Sequence, residues 1–366
     1  MKSSAVICEF NPIHNGHKYI LDRARDYVGH DGCVIAVMSG NFTQRCTPAV
    51  YDKYTRAHTA LLCGADIVFE LPFPWCSSGA EDFALGGVSI AASLGAGSLT
   101  FGSESGNIEL IEKCSEIKAS DSFTETIRRL EKENRSIGSA VLYQRAMADM
   151  GADIELGAND KLGVEYMCHG KLYGISEYNA VKRDTHHISA GEIRGKVILS
   201  GLESVRDDIP AEAYDLLKNE HYLTEERYND ILFSYSRLLK SAATPELVYA
   251  QKTSFESVNS DEFIKKLPQK KLTLARMRRE LLFSLLGVKQ MNKKFPPCFT
   301  VLLAANERGR EYYKCVKKSL EIQVITKPAD FGNNDQYAVA KEADRLYTLC
   351  IGERADRFIR MSPVIL

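Results

Sequence analysis

The sequence lacks an excess of charge of either sign and lacks any long apolar run. Its 366 residues carry 47 Lys and Arg against 48 Asp and Glu, which gives a formal net charge of −1. Proteins that bind polyanions over their whole surface are strongly basic, so any nucleic-acid role must depend on a local patch. No stretch approaches the roughly 18–20 apolar residues that span a bilayer, and the opening MKSSAVICEF has no secretion-signal pattern. We therefore expect no membrane partner.

Closely spaced cysteines are also missing. The ten cysteines are scattered, and the nearest neighbours in sequence are 13 residues apart, which excludes CxxC redox pairs and knuckle-type zinc sites. Scattered thiols of this kind are typical of reduced core residues in a cytoplasmic protein. Because no cluster of carboxylates stands out either, the sequence predicts no metal site made of protein side chains.

Buried-strand patterns alternate with helical patterns over the first two hundred residues. Short apolar runs predict strands at 5–9, 33–38, 66–71 and 99–101, and periodic segments predict helices at 17–27, 49–62 and 80–94. Buried strands separated by helices of this length indicate βαβ units. The predicted fold class is α/β, with a Rossmann-like parallel sheet.

The remainder of the chain has a different pattern. Helices are predicted over 108–150, with an exposed break at 131–136, over 162–172, and over 188–201 with Ser189 as the N-cap; a strand is predicted over 176–182. Residues 210–286 are mostly helical, and a small α/β pattern follows Pro296-Pro297. The chain therefore divides into three predicted parts, at 1–205, 206–295 and 296–366.

The stretch ICEFNPIHNGHKYI, residues 7–20, lies where the first strand passes into the first helix. Asn11-Pro12 ends the strand, Gly16 lets the backbone approach a ligand closely, and the helix N-terminus offers N–H groups to an anion. Ligands of open parallel sheets bind beyond the carboxyl ends of the strands. His14 and His17 could donate hydrogen bonds to a phosphoryl group there. For two histidines on their own, simple helix capping is the more common explanation.

Two separated motifs resemble those of a known superfamily. His14-Asn15-Gly16-His17 resembles the HxGH motif of nucleotidyltransferases, which join an acid to the AMP part of ATP, and ISAGEIR (188–194) resembles their partner motif ISSTxIR. Further stretches are similar to one family, the bacterial tRNA(Met) cytidine acetate ligases: EFNPIHNGH (9–17), SGNFTQRCTPAVYDKYTRAHTAL (39–61), GADIVFELPF (64–73), FGSESG (101–106), NDKLGVEY (159–166) and AVKR (180–183), with weaker similarity at 273–287 and 300–314.

The resemblance implies a nucleotidyltransferase core over 1–205, a tRNA-binding helical region over 206–295 and a two-step reaction. Acetate and ATP, accompanied by Mg²⁺, would give acetyl-adenylate and pyrophosphate. The exocyclic N4 of the wobble cytidine of elongator tRNA(Met) would then take the acetyl group. This order suits the chemistry, because an aromatic amine is a poor nucleophile and free acetate is a poor acyl donor.

The resemblance also implies residue roles. His14 and His17 would hold the phosphates in the transition state, and Ser189 and Arg194 would bind the departing β- and γ-phosphates, since a guanidinium matches oxyanion geometry. The residues expected to bind ATP are Ile7, Cys8, Glu9, Phe10, Asn11, Pro12, Ile13, His14, Asn15, Gly16, His17, Lys18, Tyr19, Ile20, Gly102, Asn159 and Arg183. Those expected near the acetate, the phosphates or the target base are Ser39, Gly40, Asn41, Gln44, Arg45 and Lys53. As alternatives, Asn41 and Gln44 simply finish a turn, and the two cations are solvated surface groups.

Three features depart from the family pattern. Cys46 stands where the family usually has glycine. Ala190-Gly191 replaces the usual small hydroxyl residues of the partner motif, which predicts weaker phosphate contacts. Between Arg183 and Ile188 the chain has only DTHH, where relatives carry a longer loop with a YHD-type sequence, so His186 or His187 would stand in for that histidine.

Basic residues are concentrated between 265 and 294 of this otherwise neutral chain. Only Glu280 opposes them, and the basic residues are Lys265, Lys266, Lys270, Lys271, Arg276, Arg278, Arg279, Lys289, Lys293 and Lys294. Such one-sided charge favours contact with an RNA backbone. The predicted tRNA contacts are Lys270, Lys271, Arg276, Arg278 and Arg279, with an ordinary solvated helix face as the alternative.

Two other functions stay open at this point. A small-molecule adenylyltransferase of the same superfamily would release pyrophosphate without needing tRNA, but it would not need the long helical second half. A nucleotide- or RNA-binding relative without catalysis would release no pyrophosphate. The altered ISAGEIR motif and the short DTHH segment favour that second alternative.

Overall fold

Among the residues that the computed structural model describes, one eight-stranded sheet organises the chain. These residues are 1–133, 138–152, 156–184, 187–269, 272–288, 295–330, 332 and 334–366. The strands are β1 (Ser3–Cys8), β2 (Cys33–Ser39), β3 (Ile67–Leu71), β4 (Ser98–Ser103), β5 (Glu177–Lys182), β6 (Phe299–Ala305), β7 (Gln323–Ile325) and β8 (Val364–Ile365).

Five parallel strands form the main part of the sheet, in the order β5-β4-β1-β2-β3. The chain adds β2 and β3 on one side of β1 and then β4 and β5 on the other, so the order reverses between β1 and β4. Every residue of β2 is buried, as is typical of a parallel strand covered on both faces. The predicted α/β class with a parallel sheet is therefore confirmed, and ligands of such sheets bind at the reversal.

The helices of the first two hundred residues lie close to their predicted positions. They are α1 (Asn15–Val28), α2 (Lys53–Leu62), α3 (Ala80–Ser93), α4 (Ile108–Ala119), α5 (Asp121–Glu133), α6 (Ser139–Asp149), α7 (Ala158–Tyr173) and α8 (Ala190–Ser200). The helix predicted over 49–62 begins only at Lys53, because the Asp52 carboxylate accepts from the N–H groups of Tyr54 and Thr55 and ends the loop before it. The break predicted at 131–136 is wrong for 131–133, which continue α5 to Glu133, and its other half, 134–136, lies outside the described residues.

The second half is mostly helical up to residue 285, as predicted. Its helices are α9 (Ala211–Leu217), α10 (Glu226–Leu238), α11 (Pro245–Phe255), α12 (Ser260–Lys266), α13 (Leu274–Leu285), α14 (Glu307–Val316), α15 (Asp335–Ile351) and α16 (Arg357–Arg360). The C-terminal strand β6 pairs antiparallel with β3 and thereby covers an edge that would otherwise be open. The predicted third part, 296–366, therefore shares its sheet with the first part, and the three-part division stays a prediction.

The cysteines divide between core and surface. All ten lie in the described residues, and none forms a disulfide. Seven are buried and Cys168 is half-buried, whereas Cys298 and Cys315 are exposed, so the core interpretation does not hold for those two. No helix in the described part of the chain has the length and apolar character to cross a membrane.

Candidate active site

Two imidazole rings stack at the carboxyl end of β1. The chain turns through Phe10, whose φ of 45° lies in the left-handed region, and α1 begins at Asn15 with His14 as its N-cap. The ring centroids of His14 and His17 are 3.7 Å apart, with the planes inclined by 30°, and the ring of Phe10 lies 5.2 Å from that of His17. Residues three apart share a helix face, so the HNGH spacing places both rings on one side of the first turn.

His14 is neutral and has a defined tautomer. Its Nδ1 accepts a hydrogen bond from the N–H of Gly16 at 3.1 Å, so the ring proton is on Nε2. Burial, together with neighbouring cationic groups, lowers the pKa of His14 to about 4. Burial also lowers the pKa of His17 well below its ordinary value, and the Nδ1 of His17 has no hydrogen-bond partner among the described residues. The pair can therefore donate to an anion without itself carrying charge.

The second motif lies directly against the first. Arg194 of α8 donates from Nη1 to the backbone carbonyl of Asn11 at 2.8 Å, which places its guanidinium at the turn between β1 and α1. Ser189 is the N-cap of α8, as predicted, and its Oγ accepts from the N–H of Glu192 at 3.2 Å. The Ser189 hydroxyl also donates to the Glu192 carboxylate at 2.7 Å. A phosphate that binds Ser189 must therefore compete with this capping box.

Arg183 and His187 lie close enough to the histidine pair to influence it electrostatically. Both act electrostatically on His14, where a positive neighbour disfavours protonation and lowers its pKa. The Cβ of His187 lies 3.6 Å from the position that a Cβ on Gly16 would occupy. The DTHH segment thus carries a histidine at the HNGH turn. His186, the other candidate, lies outside the described residues.

Gly102 and Asn159 approach from the β4 side of β1. A Cβ on Gly102 would lie 3.1 Å from Cδ1 of Ile20, so the glycine allows β4 and α1 to pack closely. Asn159 donates from Nδ2 to Glu104 at 3.0 Å, and the same carboxylate accepts from the backbone N–H groups of Asn159 and Asp160. Glu104 therefore caps α7 and orients Asn159. Sequence reasoning missed this role, although Glu104 lies inside the FGSESG stretch.

The remaining side chains of 7–20 differ in their exposure. Asn15 donates to the carbonyl of Asp207 at 2.8 Å, Lys18 pairs with Asp22 at 3.0 Å, and Tyr19 is exposed. Four apolar side chains of the predicted ATP segment belong to the buried core: Ile7, Cys8, Phe10 and Ile13.

Residues 40–52, here called the β2–α2 loop, are hydrogen-bonded to the β1–α1 turn. The N–H of Gln44 donates to Glu9 Oε1 at 2.6 Å. The N–H of Val50 donates to Asn11 Oδ1 at 2.8 Å. Any movement of the loop is therefore transmitted to the backbone that precedes the histidine pair.

Arg56 of α2 fixes the carboxyl ends of β1 and β2 from inside the protein. It is 1% exposed, and its guanidinium donates to four backbone carbonyls, those of Glu9, Ser39, Gly40 and Tyr51. Ser39 and Gly40 are themselves buried, so their place near the site depends on this contact. Sequence reasoning missed Arg56, although it lies inside the 39–61 stretch, because an arginine in a helical pattern is ordinarily a solvated group.

Lys53 and Asn41 are not open to a substrate. Lys53 is 4% exposed, and its Nζ lies between the carboxylates of Glu70 (2.9 Å) and Asp344 (2.7 Å). Asn41 is 3% exposed, and both ends of its amide are hydrogen-bonded inside the protein. Both side chains are engaged inside the protein, and their expected contact with acetate, phosphate or the target base stays a prediction. Arg45, in contrast, is exposed.

Comparison with known proteins accounts for this combination of motifs. The HIGH Nucleotidyl Transferase family profile matches residues 1–359. The tRNA(Met) cytidine acetate ligase of Caldicellulosiruptor saccharolyticus is 33% identical over 359 residues, covering 89% of this chain and 87% of the relative. The enzyme of that name from Clostridium perfringens strain SM101 is 32% identical, covering 89% and 90%. The chain belongs to the tRNA(Met) cytidine acetate ligase family.

A solved structure of Thermotoga maritima TmcAL bound with α-thio ATP has the same fold. It superposes with a TM-score of 0.90 at 27% identity and covers 100% of both chains. The site described above, with its stacked histidines and the contact from α8, therefore belongs to a chain with the HIGH nucleotidyl transferase fold.

Cys46 gives this family member a strained residue in the β2–α2 loop. Its φ of 58° lies in the left-handed region, which favours glycine and explains why glycine is the residue expected there. The side chain is buried, with Sγ 3.0 Å from the carbonyl of Ser77, and the Tyr228 hydroxyl donates to the Cys46 carbonyl at 2.8 Å. These contacts hold the backbone at Cys46 in the left-handed conformation, which glycine would adopt without strain.

The predicted tRNA-binding arginines of this family member face in different directions. Arg278 is buried and pairs with Glu225 at 2.6 Å. Arg279 donates to the carbonyls of Gln44, Ser77 and Ser78. Arg278 is thus engaged inside the protein and the half-buried Arg279 in backbone contacts, and the tRNA contact expected of both stays a prediction. Arg276 is exposed, although it pairs with Glu246 at 2.8 Å. Five predicted lysines of this patch lie outside the described residues: Lys270, Lys271, Lys289, Lys293 and Lys294.

Proposed function

We propose that this chain is an ATP-dependent ligase that activates acetate as acetyl-adenylate and transfers the acetyl group to N4 of the wobble cytidine of elongator tRNA(Met). The observation that carries the proposal is a contact between two motifs, through residues 183 positions apart in sequence. Arg194 of ISAGEIR is bonded to the turn that presents the stacked histidines of HNGH. Cationic and hydrogen-bond-donating groups thus converge at the carboxyl edge of β1, where a polyphosphate would bind.

In the first step, a carboxylate oxygen of acetate attacks the α-phosphorus of ATP, and the bond to the β-phosphate oxygen breaks to release pyrophosphate. Negative charge builds on the α-phosphate oxygens and on the leaving group. The Nε2–H of His14 and the ring of His17 would donate to this charge, and Arg194 with Arg183 would neutralise the departing phosphates. Preorganised donors that need no reorientation contribute most to such a step.

In the second step, the exocyclic amine of cytidine attacks the acetyl carbonyl, and AMP leaves as the carbon–nitrogen bond forms. The proton that the amine loses passes to a phosphate oxygen of the departing AMP or to water. The β2–α2 loop supplies the exposed Arg45 and the half-buried Gln44 near the site. We propose that these two residues, rather than Lys53 and Asn41, face the acyl group or the target base.

Mg²⁺ would accompany ATP and offset the charge of its phosphates. In the described part of the chain, no group of three or more His, Cys, Asp or Glu side chains is arranged to hold a metal ion. The ion would therefore take its ligands from phosphate oxygens and water, as Mg²⁺ at nucleotide sites commonly does. We place the enzyme in the cytoplasm, where both tRNA and ATP are found.

For the tRNA, we propose the exposed face of α13 that carries Arg276, together with Lys270 and Lys271, which precede α13 in sequence and lie outside the described residues. Contacts of this kind hold the RNA backbone, whereas the anticodon bases are read near the catalytic groups. Arg279 links the two regions, because α13 reaches the carbonyl of Gln44 through it at 3.0 Å.

The test is mass spectrometry of nucleosides from unmodified tRNA incubated with the protein, ATP, Mg²⁺ and isotope-labelled acetate. We expect labelled N4-acetylcytidine, its loss in His14→Ala and His17→Ala, and its retention in His30→Ala, a surface histidine. Pyrophosphate release without labelled nucleoside would indicate another acyl acceptor. Absence of both products would favour a nucleotide-binding relative without catalysis.

A further inference from the structure

A buried charged cluster lies directly beside the β2–α2 loop. Lys53 Nζ contacts both oxygens of the Glu70 carboxylate, at 3.0 and 2.9 Å, and one oxygen of Asp344 at 2.7 Å. The side chains of Lys53 and Glu70 are 5% exposed, and that of Asp344 is 19% exposed. Asp344 belongs to α15, almost three hundred residues further along the chain.

Asp344 also holds Asn41, the third residue of the SGN turn. Its second oxygen, Oδ1, accepts from Asn41 Nδ2 at 2.9 Å. The amide oxygen of Asn41 accepts from the backbone N–H of Lys53 at 2.9 Å, and the Asn41 carbonyl accepts from the N–H of Ala49 at 2.9 Å. Both oxygens of Asp344 are therefore used, one for the Lys53 ammonium and one for the loop.

We infer that Asp344 is a positioning residue of the active site, which fixes the β2–α2 loop through Asn41 and thereby places Gln44 and Arg45 against the reacting groups. The loop is bonded in turn to Glu9 and Asn11, on either side of Phe10 in the β1–α1 turn. This role rests on the proposed function. A helix from the C-terminal end of the chain thus becomes part of the support of a site that the first two hundred residues form.

The charge arrangement explains why an aspartate is needed at position 344. A buried ammonium needs carboxylate partners to offset its desolvation, and one of them must also accept from the neutral amide of Asn41. With asparagine at position 344, the side-chain NH₂ group would face either the Lys53 ammonium or the NH₂ group of Asn41. Both of these groups are hydrogen-bond donors. One hydrogen bond of the cluster would then be lost.

The test exchanges the two groups between positions 41 and 344. In Asn41→Asp, two carboxylates face each other at hydrogen-bond distance and repel; in Asp344→Asn, a donor faces a donor. The double variant Asn41→Asp/Asp344→Asn restores each hydrogen bond, because the carboxylate at 41 accepts from both neighbours and the amide oxygen at 344 accepts from Lys53. The net charge of the double variant equals that of the unmodified protein. Glu342→Gln, on the surface of α15, is the matched control.

The first readout is acetate-dependent exchange of pyrophosphate into ATP. We expect each single variant to lower kcat at least tenfold, on the order of what small displacements of reacting groups cost. The KM for ATP should change less than about threefold, because Arg56 and Arg194 still hold the ATP segment. The double variant should recover most of kcat, and Glu342→Gln should keep it. Single variants with lowered thermal stability but normal kcat, or a double variant that stays as slow as the singles, would overturn the inference.

The second readout is amide hydrogen exchange of the β2–α2 loop, which does not depend on activity. We expect faster exchange of the Gln44 and Val50 amides in both single variants and restored protection in the double variant. If the unmodified protein shows no acetate-dependent exchange, the proposed function fails, and the loop amides alone decide the inference. Unchanged loop protection in the single variants would then refute it.

Discussion

Acidification should destabilise this protein through His14. The folded state holds the ring neutral with a pKa of about 4, because burial disfavours the imidazolium. In the unfolded chain a histidine titrates near 6.5. Between these two values the unfolded state binds a proton that the folded state does not bind. The stability that depends on His14 is therefore fully present above pH 6.5 and is lost as the pH falls toward 4.

The size of the effect follows from the two pKa values. At pH 7 protonation of His14 in the unfolded chain lowers the free energy of unfolding by almost nothing. At pH 5 it lowers the free energy of unfolding by about 2 kcal/mol. His14→Asn removes this contribution while keeping the N-cap, because the Asn Oδ1 can accept from the N–H of Gly16 as the ring Nδ1 does. The variant should therefore lose about 2 kcal/mol less stability between pH 7 and pH 5 than the unmodified protein.

The assay is urea denaturation at pH 7 and pH 5, followed by tryptophan fluorescence. The chain has a single tryptophan, Trp75, which is fully buried, so its emission reports the loss of the core. His30→Asn, at an exposed position, controls for the change of residue type. Equal pH-dependent losses in the unmodified protein and in His14→Asn would show that the folded state binds the proton, and the neutral hydrogen-bond donor of the proposed first step would be refuted.

Four further outcomes are expected. Arg56→Met should lower the free energy of unfolding by about 3 kcal/mol in the same assay, because it leaves buried carbonyls without donors; a loss below about 1 kcal/mol would contradict the role of Arg56. Cys46→Gly should be more stable than Cys46→Ala by about 1 kcal/mol, the reverse of the usual order, because alanine keeps the left-handed strain; equal midpoints would argue against strain. Arg278→Ala should cost about 2 kcal/mol of stability, because it removes a buried side chain together with its hydrogen bonds to Glu225 and Asn229. Arg276→Ala should cost under about 1 kcal/mol but raise the KM for tRNA and not that for ATP in steady-state assays.

Local patterns in the sequence predicted the strands, helices and caps correctly where a pattern is compatible with only one local structure. The apolar run CVIAVM is a buried strand, and Ser189 is the N-cap of α8, both as predicted. The i, i+3 spacing of HNGH places both rings on one helix face. These predictions succeed because the relevant interactions span four residues or fewer, so that neighbours along the chain decide them.

The charged residues were predicted less well, because their role depends on partners far away in sequence. Lys53 and Arg278 looked like free cations, and each is buried against a carboxylate, Asp344 and Glu225 respectively. The buried position of Arg56 and its contacts with backbone carbonyls were not predicted at all. A cation can bind a phosphate or neutralise a buried carboxylate with the same atoms, and only its surroundings decide between the two.

The sequence by itself determined the strand and helix pattern, the position of the HNGH turn after β1, and the two motifs that define the family. Each of these is written in residues that lie close together in the chain. Only the tertiary structure decided that β6 completes the sheet of the first part, that α8 brings Arg194 to Asn11, and that α15 brings Asp344 to Asn41. Contacts over such separations depend on how whole elements pack, and burial then decides which charges stay free for a ligand.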